Sequence, residues 1–187
     1  YLDIEYAGTS RLQRLVARAL PETLLFSIIL PVFNTDPVLL TQTLLSVRNQ
    51  SYDGWELCIV DDASNRKETI DLLAALGNDP LLASRSRLIT LTKNSGIGAA
   101  SNAAIRNSSA PYVVFLDHDD LLRSDALLQC ALRLHKTAYV LLYSDSCTID
   151  HNGRILEAYR KPDWSPETLT HVNYVNHLTV VAREALD

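Results

Sequence analysis

Short apolar segments alternate with segments of helical periodicity along most of the chain. The apolar segments cover residues 26–33, 55–60, 87–91, 111–116 and 139–143, with a sixth candidate at residues 178–182. Helical spacing of apolar residues lies between them. Strands that are apolar throughout and separated by helices are typical of a parallel sheet covered on both faces. The pattern predicts one α/β domain with a Rossmann-like, doubly wound, mainly parallel sheet.

Local signals predict where several helices begin and end. Asp36 followed by Pro37 predicts a helix start. Asn65 with Glu68 resembles a capping box, and Gly77 suits the end of that helix. Further helices are predicted over residues 98–105 and 124–135. Residues 11–20 predict a leading helix, so we divide the chain into a leading helix or linker at 1–24 and a domain at 25–187.

Composition narrows the class of protein. The 187 residues are 47% hydrophobic and 21% charged, which excludes a disordered or fibrous protein. A net charge of −5 disfavours nucleic acid as a partner. No apolar run approaches the ~20 residues of a membrane span, and no signal peptide is recognisable. Three cysteines in apolar segments predict a reduced, cytoplasmic protein. Because methionine is absent, we expect a processed chain or an excised segment.

Polar residues follow the predicted strands at the point where each strand ends. They are Asn34 after the first strand, Asp61 and Asp62 after the second, Lys93, Asn94 and Gly96 after the third, Asp117, His118, Asp119 and Asp120 after the fourth, and Ser144 and Asp145 after the fifth. The carboxyl ends of parallel strands meet at one edge of a sheet, where ligands bind. Clustered carboxylates repel one another unless a cation or hydrogen-bond donors balance them. We therefore predict a divalent metal with a phosphorylated ligand at this edge.

The segment from Asp117 to Asp120 is the sharpest signal. In an extended conformation, alternation places the carboxylates of Asp117 and Asp119 on one side and points Asp120 away. This predicts Asp119 and Asp117 as ligands of Mg²⁺ or Mn²⁺, with Asp120 supporting the helix that follows. The alternative is a solvated turn that caps that helix.

Other known sites fit this segment less well. An EF-hand calcium loop would need glycine at Leu122 and glutamate at Leu128. A phosphatase with an aspartyl nucleophile would carry threonine at Leu121. The glycines Gly96 and Gly98 half-resemble a dinucleotide fingerprint, but they follow the third strand rather than the first, which argues against a nicotinamide-dependent oxidoreductase. His171 and His177 are more simply explained as structural residues.

Several motifs together resemble the family 2 glycosyltransferases, which have the GT-A fold. They are Ile-Leu-Pro-Val-Phe-Asn at 29–34, Ser-Val-Arg-Asn-Gln-Ser at 46–51, Val-Asp-Asp-Ala-Ser at 60–64, Asn-Ser-Gly-Ile at 94–97 and Phe-Leu-Asp-His-Asp-Asp-Leu at 115–121. Later motifs at 143–145, 161–165 and 173–174 resemble a branch that builds bacterial surface polysaccharides in the cell envelope. The resemblance covers residues 26–183.

The resemblance implies an inverting, metal-dependent hexosyl transfer from a nucleotide-sugar donor, expected to be a UDP-sugar, to a saccharide or lipid-linked acceptor. It assigns Pro31, Val32 and Phe33 to the base pocket, with Phe33 where tyrosine is frequent. Further nucleotide contacts implied are Asn34, Asp61, Asp62, Lys93, Asn94, Gly96, Asp117 and His118, and the metal ligands are Asp119 and Asp117. The metal would stabilise the charge that develops on the leaving diphosphate.

The general base of the family lies in a later acidic motif. Asp145 is a candidate for that base, although we expect it to contact the donor sugar or support the fold. We therefore expect the base to lie beyond Asp187 and the isolated chain to transfer little sugar. The alternative function is a non-catalytic nucleotide-binding module of the same fold. The expected location is the cytoplasm, with peripheral association at the inner face of the membrane through parts outside this chain as an alternative.

Overall fold

A six-stranded sheet forms the centre of the protein. The structure, a computed structural model, describes residues 15–17, 20 and 26–186. The sheet strands are β1 (Phe26–Val32), β2 (Trp55–Asp61), β3 (Ser86–Thr90), β4 (Tyr112–Phe115), β5 (Leu141–Tyr143) and β8 (Thr179–Ala182). Their order across the sheet is β3-β2-β1-β4-β8-β5. Strands β1 to β4 are mutually parallel, and β8 runs antiparallel to both of its neighbours, β4 and β5.

Helices cover both faces of this sheet. They are α1 (Pro37–Arg48), α2 (Lys67–Ala74), α3 (Pro80–Arg85), α4 (Ile97–Arg106), α5 (Ala126–Lys136) and α6 (Pro166–Leu169), with 3₁₀ turns at Ala75–Asn78 and Arg183–Ala185. Buried leucines of α1, α2, α3 and α5 pack on one face of the sheet. On the other face, the small residues Ala100, Ala103 and Ala104 of α4 pack against Ile29 and Val60. The prediction of a doubly wound, mainly parallel α/β sheet is confirmed.

The segment between β5 and β8 differs from its prediction as a turn-rich connection. It contains an antiparallel hairpin of β6 (Ser146–Ile149) and β7 (Ile155–Tyr159), followed by α6. Every residue of β7 is exposed. Because neither face of the hairpin is buried, its sequence lacks the apolar alternation that normally reveals a strand.

Two local predictions concern segments outside the main sheet. The leading helix predicted over residues 11–20 lies mostly outside the described residues, and within it positions 15–17 are helical. The capping box predicted at Asn65 is wrong, because the N-cap of α2 is Arg66, one residue later, and no side chain caps the helix. Gly77 lies inside the 3₁₀ turn Ala75–Asn78 rather than at the end of α2.

Candidate functional site

Asn34 and Asp61 hold the loops that leave β1 and β2. The side-chain oxygen of Asn34 accepts hydrogen bonds from the backbone N–H groups of Asn65 and Arg66, at 2.8 and 2.9 Å. Those bonds satisfy the two backbone donors that immediately precede α2. Asp61 is buried and accepts from the backbone N–H of Ser64 at 2.9 Å. Both predicted site residues therefore shape the two loops.

Asp62 fixes the loop between β3 and α4. Its two carboxylate oxygens accept from the backbone N–H groups of Ser95 and Gly96, at 2.7 and 2.8 Å. Gly96 has φ 84° and ψ 161° and is the N-cap of α4. Because only glycine adopts this backbone region readily, the loop geometry requires glycine here. The buried carboxylate also lies where the dipole of α4 is positive, which favours its charge.

A cavity of about 220 Å³ opens between these loops. Its lining combines residues from the ends of β1 and β2, the start of α4 and the segment after β4. The lining residues are Pro31, Val32, Phe33, Asp62, Asn94, Gly96, Ile97, Ala100 and His118. The structure therefore gathers most of the residues that the sequence assigned to a nucleotide around one cavity. Lys93 is exposed and, like Asn34, Asp61 and Asp117, does not line it.

The acidic segment after β4 forms a turn rather than an extended strand. The backbone N–H of Asp120 donates to the carbonyl oxygen of Asp117 at 3.2 Å. Such a turn brings residues i and i+3 together, so the alternating geometry assumed from the sequence is wrong, as is the expectation that Asp120 points away. Asp119 is exposed, with its Oδ1 3.8 Å from Nδ1 of His118.

Asp117, Asp120 and His177 form a group whose possible ligand atoms all lie within 4.8 Å of one another. Nδ1 of His177 is 2.6 Å from Oδ2 of Asp120 and 3.8 Å from Oδ2 of Asp117. Burial raises the pKa of Asp120, and the charges of Asp117 and Asp119 raise it further against the opposing effect of His177. The signal for His177 in the sequence is its position just before a predicted strand, and that position alone favours a structural role.

One side of α1 holds this acidic turn in place. The hydroxyl of Thr43 donates to the carbonyl of His118 at 3.0 Å, and the hydroxyl of Ser46 accepts from the backbone N–H of Leu122 at 3.1 Å. Gln50 donates to the carbonyl of Arg123 at 2.7 Å and accepts from the N–H of Leu127 at 3.1 Å. Positions 43 and 46 share one face of α1, and Gln50 lies two residues after that helix ends at Arg48. The spacing of Thr43 and Ser46 is the signal that could have identified them.

Asp145 contacts the segment that follows the hairpin. Its Oδ1 accepts from the backbone N–H of Lys161 at 2.8 Å. The ammonium group of Lys161 donates to the carbonyl of Asn176, the residue before His177. Burial lowers the pKa of Lys161. The exposed carboxylate of Asp145 therefore anchors residues next to the acidic group.

Comparison with known proteins identifies the family of this chain. The model of the family described as "Glycosyl transferase family 2" matches residues 27–184. The chain belongs to glycosyl transferase family 2. Among relatives, it is 34% identical over 97% of its length to "O-antigen biosynthesis protein RfbC" of Myxococcus xanthus and 31% identical over 92% to "Chondroitin synthase" of Escherichia coli. It spans only 14% and 25% of the length of these two proteins.

Solved structures place this family 2 chain in the GT-A fold. S. aureus TarS in complex with UDP matches with a TM-score of 0.59 and 24% identity, over 68% of this chain and 36% of that chain. The mannosyltransferase PcManGT from Pyrobaculum calidifontis, in complex with GDP-Man and Mn²⁺, matches with a TM-score of 0.63 and 19% identity, over 99% of this chain and 55% of that chain. Within residues 15–17, 20 and 26–186, no helix combines the length and apolar character of a membrane span.

Proposed function

We propose that this glycosyltransferase chain binds a nucleoside diphosphate sugar, with UDP as the nucleotide, and transfers the hexose with inversion to a saccharide or lipid-linked acceptor. The observation that carries the proposal is the cavity between the β1, β2 and β3 loops, because one of its walls is His118 of the acidic turn. A ligand with an aromatic base at one end and a diphosphate at the other suits a cavity with an apolar lining beside carboxylates. TarS, a structural neighbour, is in complex with UDP.

The acidic group fits a divalent cation. Two carboxylates and one imidazole offer oxygen and nitrogen ligands within 4.8 Å of one another. Carboxylates suit Mg²⁺ and Mn²⁺, and imidazole widens the choice among transition metals. Burial, together with the charges of Asp117 and Asp119, raises the pKa of Asp120, and a bound cation would favour its ionised form. We propose Asp117, Asp120 and His177 as the group that holds Mn²⁺ or Mg²⁺, and Asp119 remains the ligand predicted from the sequence.

The chain's own residues act on the donor. Phe33 is 42% exposed at the cavity, so its ring is free to pack on a base. Asp62 fixes Asn94 and Gly96 beside the nucleotide through the backbone of their loop. In the transfer, an acceptor hydroxyl oxygen bonds to the anomeric carbon and its proton passes to a carboxylate general base, while the bond from that carbon to the diphosphate breaks and the diphosphate leaves with the electron pair. A bound divalent cation supplies positive charge that stabilises this leaving group.

The acceptor class and the cellular location belong to the proposal as well. Two relatives are named for O-antigen biosynthesis and chondroitin synthesis, and both of these products are saccharide polymers. Cys58, Cys130 and Cys147 are free thiols, which supports a cytoplasmic location. Attachment at the inner face of the membrane would rest on parts of a longer protein.

The first experiment measures UDP and GDP binding by calorimetric titration, with Mn²⁺, with Mg²⁺ and with EDTA. We expect UDP to bind more tightly than GDP, and the cation to strengthen binding because it neutralises repulsion between the diphosphate and the carboxylates. UDP affinity that is unchanged by EDTA would rule out the cation. Failure of both nucleotides to bind would contradict the proposed function itself.

Single substitutions separate the two ligand assignments. Asp120→Asn keeps the side-chain shape and removes one charge, so Mn²⁺-dependent UDP affinity should fall at least ~10-fold, the lower bound for changes that only support a ligand. Asp119→Asn, a matched substitution one position away, should change it by less. If Asp119→Asn abolishes binding and Asp120→Asn does not, the ligand set predicted from the sequence is the correct one.

A further inference from the structure

Trp164 is a large apolar side chain displayed at the surface. The residue is 56% exposed, whereas Trp55 is 2% exposed in the core. It lies in the connection between β7 and α6, and Tyr159, the last residue of β7, is also exposed. Exposed aromatic residues in a fixed position are typical of binding surfaces.

The backbone around Trp164 is fixed at several points. The N–H of Lys161 donates to Asp145 at 2.8 Å, and the hydroxyl of Tyr143 donates to the carbonyl of Pro162 at 2.8 Å. On the other side, the N–H of Ser165 donates to the hydroxyl of Tyr174 at 2.8 Å. The indole is therefore presented by an ordered segment, and a ligand that binds it loses little affinity to ordering the loop.

The same contacts place this segment beside the proposed reaction site. The ammonium group of Lys161 donates to the carbonyl of Asn176, and the next residue, His177, belongs to the acidic group. Asp145 follows β5 at the sheet edge that carries the acidic turn. The segment thus joins the carboxyl edge of the sheet on the side away from β2 and β3, whose loops border the nucleotide cavity.

We propose that Trp164 forms a subsite for the acceptor saccharide, by packing its indole against a pyranose ring. This inference rests on the proposed function. The ligand class is a β-linked oligosaccharide of gluco- or galacto-configured sugars, because such rings have a face of C–H groups that is apolar and flat. When that face covers the indole ring, apolar surface of the indole is removed from water, and the hydroxyl groups of the sugar stay in contact with water.

The experiment uses the fluorescence of Trp164 in the intact chain. Iodide should quench Trp164 selectively, since Trp55 is buried. Chitotetraose and a chondroitin tetrasaccharide are added in the presence of UDP and Mn²⁺, and we expect at least one of them to protect Trp164 from iodide. In calorimetric titration, which does not depend on Trp164 fluorescence, Trp164→Ala should weaken binding of that saccharide roughly tenfold, whereas Trp164→Phe should keep it within a few-fold of the original affinity.

Controls separate this inference from the proposed function. Val172→Ala removes an exposed apolar side chain from the connection between α6 and β8 and should leave saccharide affinity unchanged. UDP binding with Mn²⁺, measured for every variant, should also stay unchanged. If UDP binds but neither saccharide protects Trp164, or if Trp164→Ala binds saccharide normally, the subsite is refuted while the donor site stands. If UDP does not bind at all, the proposed function fails instead.

Discussion

Two glycines near the start of α4 occupy positions with opposite requirements. Gly96 has φ 84° and ψ 161°, a region that costs an L-residue about 1–3 kcal/mol. A Cβ atom at Gly96 would meet no other atom within 4 Å, so the whole cost is in the backbone. Gly96→Ala should therefore lower the free energy of unfolding by about that amount and weaken UDP binding, because the N–H of Gly96 moves relative to Asp62. Urea denaturation and calorimetry measure the two effects.

Gly98 is the matched control for this prediction. It lies inside α4, has an ordinary φ, and a Cβ atom there would also meet open space. Alanine in a helix is favoured over glycine by roughly 0.5–1 kcal/mol. Gly98→Ala should stabilise the protein, and equal effects of the two substitutions would contradict the assigned role of Gly96.

Helix α1 and the residues that follow it have a second role besides packing on the sheet, since Thr43 and Ser46 of α1 and Gln50 after it contact the acidic turn and the residues that follow the turn. Gln50 is 7% exposed, and its amide serves the carbonyl of Arg123 and the N–H of Leu127. Gln50→Ala leaves both groups without that partner, at a cost of about 1–3 kcal/mol for a buried unsatisfied group. We expect lower stability and weaker Mn²⁺-dependent UDP binding, measured by denaturation and titration.

Gln42→Ala, a glutamine substitution within α1, provides the comparison. Gln42 is exposed, so this change should alter stability by no more than about 0.5 kcal/mol. If Gln50→Ala destabilises the protein while cation-dependent binding stays intact, Gln50 supports the core alone and does not position the acidic turn.

The sequence predicted the elements of the central sheet well and the geometry between them poorly. Apolar segments revealed β1 to β5 and β8, and the pattern is strongest in β1 and β2, whose residues are almost all buried. The turn from Asp117 to Asp120 is held by Thr43 of α1, and His177 approaches it from a later segment, so both features depend on contacts between distant segments, which no local pattern encodes. The polar face of α1 was missed for the same reason, although its residues lie at helical spacing.

Hydrogen bonds connect the amino-terminal ends of β1 and β2 and the residues before β4 to the residue that follows β8. Glu56 accepts from the hydroxyl of Ser27 at 2.7 Å and from the N–H of Ser109 at 2.5 Å. Arg183 donates to the hydroxyl of Ser27 at 3.2 Å and to the carbonyl of Ala110 at 2.7 Å. Burial alone would raise the pKa of Glu56, but hydrogen bonds from Ser109 and Ser27 outweigh it and lower the pKa.

This network gives a pH dependence to the stability of the fold. A carboxyl with a lowered pKa in the folded state contributes stability that is complete above the unfolded pKa, near 4.5, and disappears as the pH falls through the folded value. Glu56→Gln should lower stability at pH 7 and flatten the loss of stability below about pH 4.5. Urea denaturation between pH 7 and pH 3 tests this. An identical pH profile in both proteins, or the same flattening in the exposed-site control Glu68→Gln, would refute the assignment.

The position of β8 has a consequence for the order in which the sheet assembles. β8 is the last strand along the chain, yet it lies between β4 and β5 and pairs with both. Thr179 is opposite Phe115 on one side and Tyr143 on the other. During synthesis, β1 to β4 can pair as soon as they emerge, because each has an earlier neighbour or a neighbour close behind it. β5 must wait nearly 40 residues for its partner, so the edge of β4 stays open while residues 144–178 are made.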